Sequence, residues 1–220
     1  RLWLAMYRGS TKEHLDPLMR TYLEDLIYRL SETSEVRDRR FEFIILEDKT
    51  INAFAAPGGI IGINLGMFLN TEREGELASV MCHELAHLSQ RHFARSQNRN
   101  SPLANALMIL GSIAVAAASR NPEAIMIAPA AMQQMSINYT RSNEKEADRI
   151  GFNNLVKAGF DPNDMTMMFQ RMQDKYQNED SEQFSYLMTH PLPSERLTDM
   201  RIRADGLKNN SKNSFRDNMD

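Results

Sequence analysis

The segment His83-Glu84-Leu85-Ala86-His87 constrains this chain more than any other. Two histidines four residues apart face the same way only on an α-helix, where 3.6 residues per turn stacks them about one turn apart, so the string demands a helix here. Two imidazoles placed in this way can share one ion. Glu84 lies beside the first of them and projects to the side of the pair, where it reaches a water on the ion without ligating the ion, and it is therefore the general-base candidate. Zinc suits such a site because it takes nitrogen and oxygen ligands, keeps a fourth position open and lowers the pKa of its water to about 7. A His-Glu-x-x-His string turns up by chance in roughly one chain in a hundred of this length, so its context has to carry the reading.

The context supports it. Helical patterning runs from Glu74 to Ser96, with Glu74 and Glu76 in the first turn, where they meet the positive end of the helix dipole, and with Leu77, Val80, Met81 and Leu88 behind the motif. The third ligand must come from elsewhere. A metzincin would need glycine at position 90 and histidine at position 93, and Gln90 and Phe93 exclude that class. His92, half a helical revolution from His83, is expected at the surface. Glu144 and Asp148 share one face of a second predicted helix, Asn143 to Lys157, so Glu144 is the candidate ligand. Asp148 is the candidate carboxylate for the other ring N–H of His83, which would fix its tautomer and orientation. Glu146 points away and is expected in solvent. The plain alternative for this stretch is a charged, exposed helix face.

Around the motif the chain reads as α+β, mainly helical with a small three-stranded sheet. Leu15, Leu18, Met19, Tyr22, Leu26 and Leu30 recur at helical spacing, which predicts an opening amphipathic helix. Residues 41–46, 52–56 and 60–65 read as strands, the last two joined through Pro57-Gly58-Gly59. A free edge on the third strand would let Ile60, Ile61, Gly62 and Ile63 hold an extended substrate by strand addition; a plain core strand is the alternative. Leu103 to Ser119 is nearly all apolar but shorter than the ~20 residues a membrane span needs, and Asn105, Gly111 and Ser112 interrupt it. It reads as a buried or lid-like helix with residues 124–135 returning as its partner, and no transmembrane span is expected. Further helices are predicted from Asp161-Pro162 to about Tyr176 and from Ser194 to Leu207. Met165, Met167, Met168 and Met172 read as core packing, with an adaptable surface for apolar clients as the alternative.

Composition excludes other classes. A net charge of -3 with 42% hydrophobic and 25% charged residues gives no basic stripe for nucleic acid. Cys82 is the single cysteine, so no intrachain disulfide exists, and it is expected to be a small buried neighbour of the site. The first residue is Arg1 and no leader-like segment opens the sequence, so a targeting segment is expected to have been removed or left out.

Asn52-Ala53-Phe54-Ala55, the His83 to His87 string, Glu144 to Gly151 and Thr189-His190-Pro191 together resemble the gluzincin peptidases, the zincin-like family that includes the CAAX prenyl protease and HtpX. The resemblance covers nearly the whole chain. Glu146 to Gly151 and His190-Pro191-Leu192-Pro193 are most similar to the bacterial branch that serves β-barrel assembly. It implies a periplasmic zinc endopeptidase and chaperone whose substrates are unfolded or misassembled outer-membrane proteins, with the β-barrel assembly machinery as a partner. The rival implication is a binding module with gated proteolysis. That branch carries a tetratricopeptide domain, so residues 1–207 read as the peptidase domain and 208–220 as a polar linker or tail. The resemblance also presents His190 to the zinc. Either it ligates and gates the site, or it donates to the oxyanion, as Arg196 would from one turn into the next helix.

Overall fold

The structure, a computed structural model, describes residues 12–56, 58–99, 124–178 and 185–216. Their elements, in chain order, are α1 (Pro17–Glu32), β1 (Glu42–Leu46), β2 (Ala53–Ala56), β3 (Ile60–Asn64), α2 (Leu65–Leu69), α3 (Glu74–Ser89), α4 (His92–Arg99), α5 (Ala124–Lys157), α6 (Asn163–Asn178), α7 (Ser185–Thr189) and α8 (Ser194–Arg216). This is the expected α+β class. The apolar run 103–119 lies outside the described residues; among those described, no helix is long and apolar enough to cross a membrane. The chain divides into two compact parts, residues 1–90 with 146–220, and residues 91–145.

The larger part holds the core. Asp16 caps α1 by accepting from the amides of Leu18 and Met19 at 2.8 and 3.3 Å, and Pro17 follows at the position where a missing N–H costs nothing. The buried stripe of α1 is Leu23, Leu26, Ile27 and Leu30. Leu15 and Leu18, expected on that stripe, are 78% and 80% exposed, because Leu15 precedes the cap and Leu18 lies in the first turn.

The sheet runs β1-β3-β2, with β1 parallel and β2 antiparallel to β3. Gly58 and Gly59, at φ of 92° and 79°, make the turn between β2 and β3 in a region only glycine enters without strain. Phe43, Ile45, Ile61 and Ile63 face the main core, while Ile44, Leu46, Ala56 and Ile60 form a small cluster on the other face. Both faces are covered, which is why these strands read as continuous apolar runs. The order corrects one expectation. β3 is the central strand and both its edges are paired, so Ile60 to Ile63 offer no free edge to a substrate; the outer strand beside the helices is β2.

α3 is buried at every position from Gly75 to Ala86, as befits a helix enclosed on all sides. It packs against β2, α1 and α6. Met165, Met168 and Met172 of α6 are buried in this core and Met167 is partly exposed. At the start of α3, Glu76 is fully buried and does more than meet the dipole: one carboxylate oxygen accepts from the Glu72 amide at 2.8 Å, the other from Arg171 at 3.0 Å.

Three boundaries differ from expectation. α3 stops at Ser89, and Arg91 turns the chain at φ 53° before α4 begins, so a helical projection from His83 does not reach His92. His92 is buried, 4% exposed, rather than at the surface. The two helices predicted over 124–135 and 143–157 are one, because neither Gly nor Pro interrupts the residues between them. The last helix runs on past Leu207 to Arg216.

Candidate metal centre

The buried turn of α3 that carries His83 and His87 presents both imidazoles to one point, with their Nε2 atoms 2.9 Å apart. His190, in the residue after α7, brings its Nδ1 to 3.4 Å from His83 Nε2. Glu144, buried on α5, completes a group in which one ligand atom from each of His83, His87, Glu144 and His190 lies within 4.8 Å of all the others. Three imidazole nitrogens and a carboxylate oxygen converging at that spacing in a buried place fit a divalent metal of borderline character.

His83 is oriented from behind. His83 Nδ1 lies 2.9 Å from Asp148 Oδ1, a spacing that favours the proton on that nitrogen and leaves Nε2 for the centre. Asp148 is 1% exposed. Burial alone would raise its carboxyl, but Arg196 first and His83 second outweigh burial and hold it below the usual carboxylate range. α5 approaches α3 closely at this level. A Cβ on Gly151 would lie 3.0 Å from His83 Cα and N, so glycine is what lets the two helices meet here. Ala86, Ala147 and Ile150 fill the contact on either side.

Arg196 differs from expectation. Its Nε and Nη2 both donate to Asp148 at 2.7 Å, and Nη1 donates to the Pro191 carbonyl at 2.7 Å. It is 3% exposed, and its planar fork is committed to Asp148 and the loop rather than to an oxyanion. It ties the support of His83 to the chain segment that carries His190.

Glu84 is buried at 2% exposure beside the group. Its Oε2 accepts from the Ala55 amide on β2 at 3.2 Å, and its Oε1 lies 3.5 Å from His190 Nε2. The amide that holds Glu84 points away from β3, along the outer edge of β2. Cys82 is buried beside His83; burial pushes its thiol up, with the Asn154 amide at 3.4 Å opposing, and an un-ionised thiol is no nucleophile. Glu146 is half-buried.

Tyr186 was not anticipated from the sequence. Its ring stacks on His190 at 4.5 Å between centroids and 27° between planes, and it is buried at 2% exposure. The only sequence signal was spacing: Tyr186 precedes His190 by four residues, so one helical turn superposes them.

The profile of peptidase family M48 matches residues 17–204. The chain is 44% identical over 207 residues to the putative β-barrel assembly-enhancing protease of Vibrio cholerae, covering 92% of this chain and 42% of that protein. It is 38% identical over 215 residues to the β-barrel assembly-enhancing protease of Escherichia coli K12, covering 94% and 43%. The mitochondrial metalloendopeptidase OMA1 of Schizosaccharomyces pombe is more distant, 27% identical over 197 residues, covering 87% and 56%. The chain thus spans less than half the length of the β-barrel assembly-enhancing relatives it matches. With two histidines and a glutamate converging beside a buried glutamate, and with the family profile spanning nearly all of it, the chain belongs to peptidase family M48.

Proposed function

We propose that this chain is the catalytic part of a zinc endopeptidase that removes misfolded or misassembled outer-membrane proteins in the periplasm. The observation that carries the chemistry is the convergence of His83, His87 and Glu144 next to Glu84. The location and substrate class rest on the β-barrel assembly-enhancing relatives, and the β-barrel assembly machinery is the partner their name points to.

Zinc is the metal that best fits a His-His-Glu donor set, and when bound it would supply a Lewis acid and an acidified water. The protein's residues do the rest. Asp148, held by Arg196, keeps His83 in the ligating tautomer. Glu84 takes the water proton on Oε1, because Oε2 is held by the Ala55 amide, and passes that proton to the leaving nitrogen. A substrate in extended form would lie along the outer edge of β2, the edge nearest Glu84, which no other strand among the described residues pairs.

His190 supports a gated enzyme. Its ring reaches both the ligand group and Glu84, so in this arrangement it occupies the space that the attacking water and the scissile carbonyl need. Proteolysis then waits on movement of the residues around 190, and binding of unfolded clients without cleavage is the resting behaviour. Metal content by elemental analysis, with hydrolysis of an unfolded β-barrel protein by wild type and by His190→Ala, tests the reading. We expect about one zinc per chain and a faster basal rate in His190→Ala. Absence of zinc, or a slower rate with zinc retained, would overturn the gate.

A further inference from the structure

We propose that Tyr186 is the positioning residue that holds His190 over the metal centre. This rests on the gate reading of His190 and names the part of the fold that sets how tightly the gate closes.

The contacts of its ring, carbonyl and amide lead to it. The Tyr186 ring is stacked on the His190 imidazole at 4.5 Å and 27°, and its edge approaches His83 with centroids 6.4 Å apart at 63°. One flat, buried ring therefore stacks on the gating imidazole and lies edge-on to the first candidate metal ligand as well. The carbonyl of Tyr186 accepts from the His190 amide at 2.8 Å and from the Thr189 hydroxyl at 3.0 Å, so the single turn of α7 fixes His190 directly above the ring. The amide of Tyr186 donates to the Ile51 carbonyl at 3.1 Å, two residues before β2 begins. The short helix is thus anchored at its first turn to the segment that leads into the outer strand. Beyond His190, the next anchor is the Pro191 carbonyl held by Arg196. Between these two fixed points, the stacking contact joins those to His83 and Glu84 in setting where the imidazole rests. A helix of five residues has too little hydrogen bonding of its own to do so.

Opening the gate then means sliding His190 off Tyr186. Loss of one aromatic stacking contact shifts such an equilibrium by roughly two- to ten-fold. Tyr186→Leu keeps an apolar side chain in the buried space and removes the ring. It should raise basal hydrolysis of an unfolded protein by about that factor and, since His190 is then a poorer ligand, weaken zinc binding in chelator competition by a similar factor. Tyr186→Phe, which restores the ring, should rescue both toward wild type. Should Tyr186→Leu not fold, as thermal unfolding of the metal-free protein would reveal, Tyr186→Met fills the same space with a more adaptable side chain and repeats the measurement.

The double variants separate a positioning role from a general structural one. In a His190→Ala background, Tyr186→Leu should have a much smaller effect on rate and zinc affinity, because only its edge contact with His83 is left to lose. An equal effect in both backgrounds would show that Tyr186 acts by packing alone and would overturn the proposal. So would a His190→Ala variant that is faster than wild type while Tyr186→Leu is not. If His190→Ala itself fails to raise the rate, it is the gate reading that falls, and the Tyr186 assignment falls with it.

Discussion

Replacing Gly151 with alanine puts one methyl group where α5 crosses α3, at the level of His83. That carbon would lie 3.0 Å from both the Cα and the backbone nitrogen of His83 and 3.1 Å from the carbonyl carbon of Cys82. Ordinary carbon contacts fall at about 3.5–4.0 Å, so the helices must part by roughly half an ångström to one ångström. None of the three atoms is the end of a flexible side chain, so the strain cannot relax by a rotamer change. Two terms compete for overall stability. Alanine gains about 1 kcal/mol of helix propensity over glycine, while overpacking a close contact costs about 1–3 kcal/mol, which leaves the metal-free protein between unchanged and about 2 kcal/mol less stable. The metal centre is less forgiving. His83 and His87 ride on α3, while Asp148 and, one turn earlier, Glu144 ride on α5. Ligand distances are tolerated to within about 0.2 Å, so half an ångström of separation should weaken metal binding by about ten- to a hundred-fold, the range seen when a ligand loses its orienting partner. Zinc affinity by chelator competition, with thermal unfolding of the metal-free and metal-loaded forms, measures both terms. A Gly151→Ala protein that binds zinc like wild type and gains the full propensity in stability would show that the close approach does not set the centre, and the reasoning from that contact would be wrong.

Glu84→Gln should retain the metal and lose about a hundred- to ten-thousand-fold in hydrolytic rate, read on an unfolded protein substrate; near-normal activity would remove Glu84 from the general-base role. Glu144→Ala should lose the metal in elemental analysis, and normal metal content would reassign the third ligand. Asp148→Ala should reduce metal affinity about ten- to a hundred-fold by releasing His83 Nδ1, and it should also leave the buried Arg196 without its carboxylate, so the melting temperature must fall with it. Arg196→Lys cannot bridge Asp148 and the Pro191 carbonyl with one planar fork, so it should weaken metal binding and loosen His190 together. A change in only one of the two would show that the bridge is not the link between them.

Much of this protein was legible in its residues. Helical spacing placed His83, Glu84 and His87 on one helix, and the glycine turn with its flanking apolar runs gave a three-stranded sheet, because local periodicity and turn chemistry depend only on neighbours along the chain. Glu144 and Asp148 could be paired on one helix face for the same reason. Whatever depended on contacts between distant segments was not legible. The residues of β3 do not reveal that it lies between β1 and β2, since a strand covered on both faces has the same apolar run at the centre of a sheet as at its edge, so the open edge had to be reassigned to β2. Arg196 was expected to donate to the oxyanion from one turn into a helix; only the packing of α8 showed its guanidinium closed around Asp148. His92 was misplaced because one left-handed residue, Arg91, ends the helix from which its direction was projected. Tyr186 is the clearest case. Its spacing to His190 is local, but its sequence neighbours say nothing about His83 and His87, about a hundred residues earlier, and the stacked pair meets them only because the chain returns there, with the Tyr186 amide fastened to Ile51. Spacing along the chain picked out the candidate ligands on α3 and α5, and the meeting of remote segments decided how those residues are held and covered.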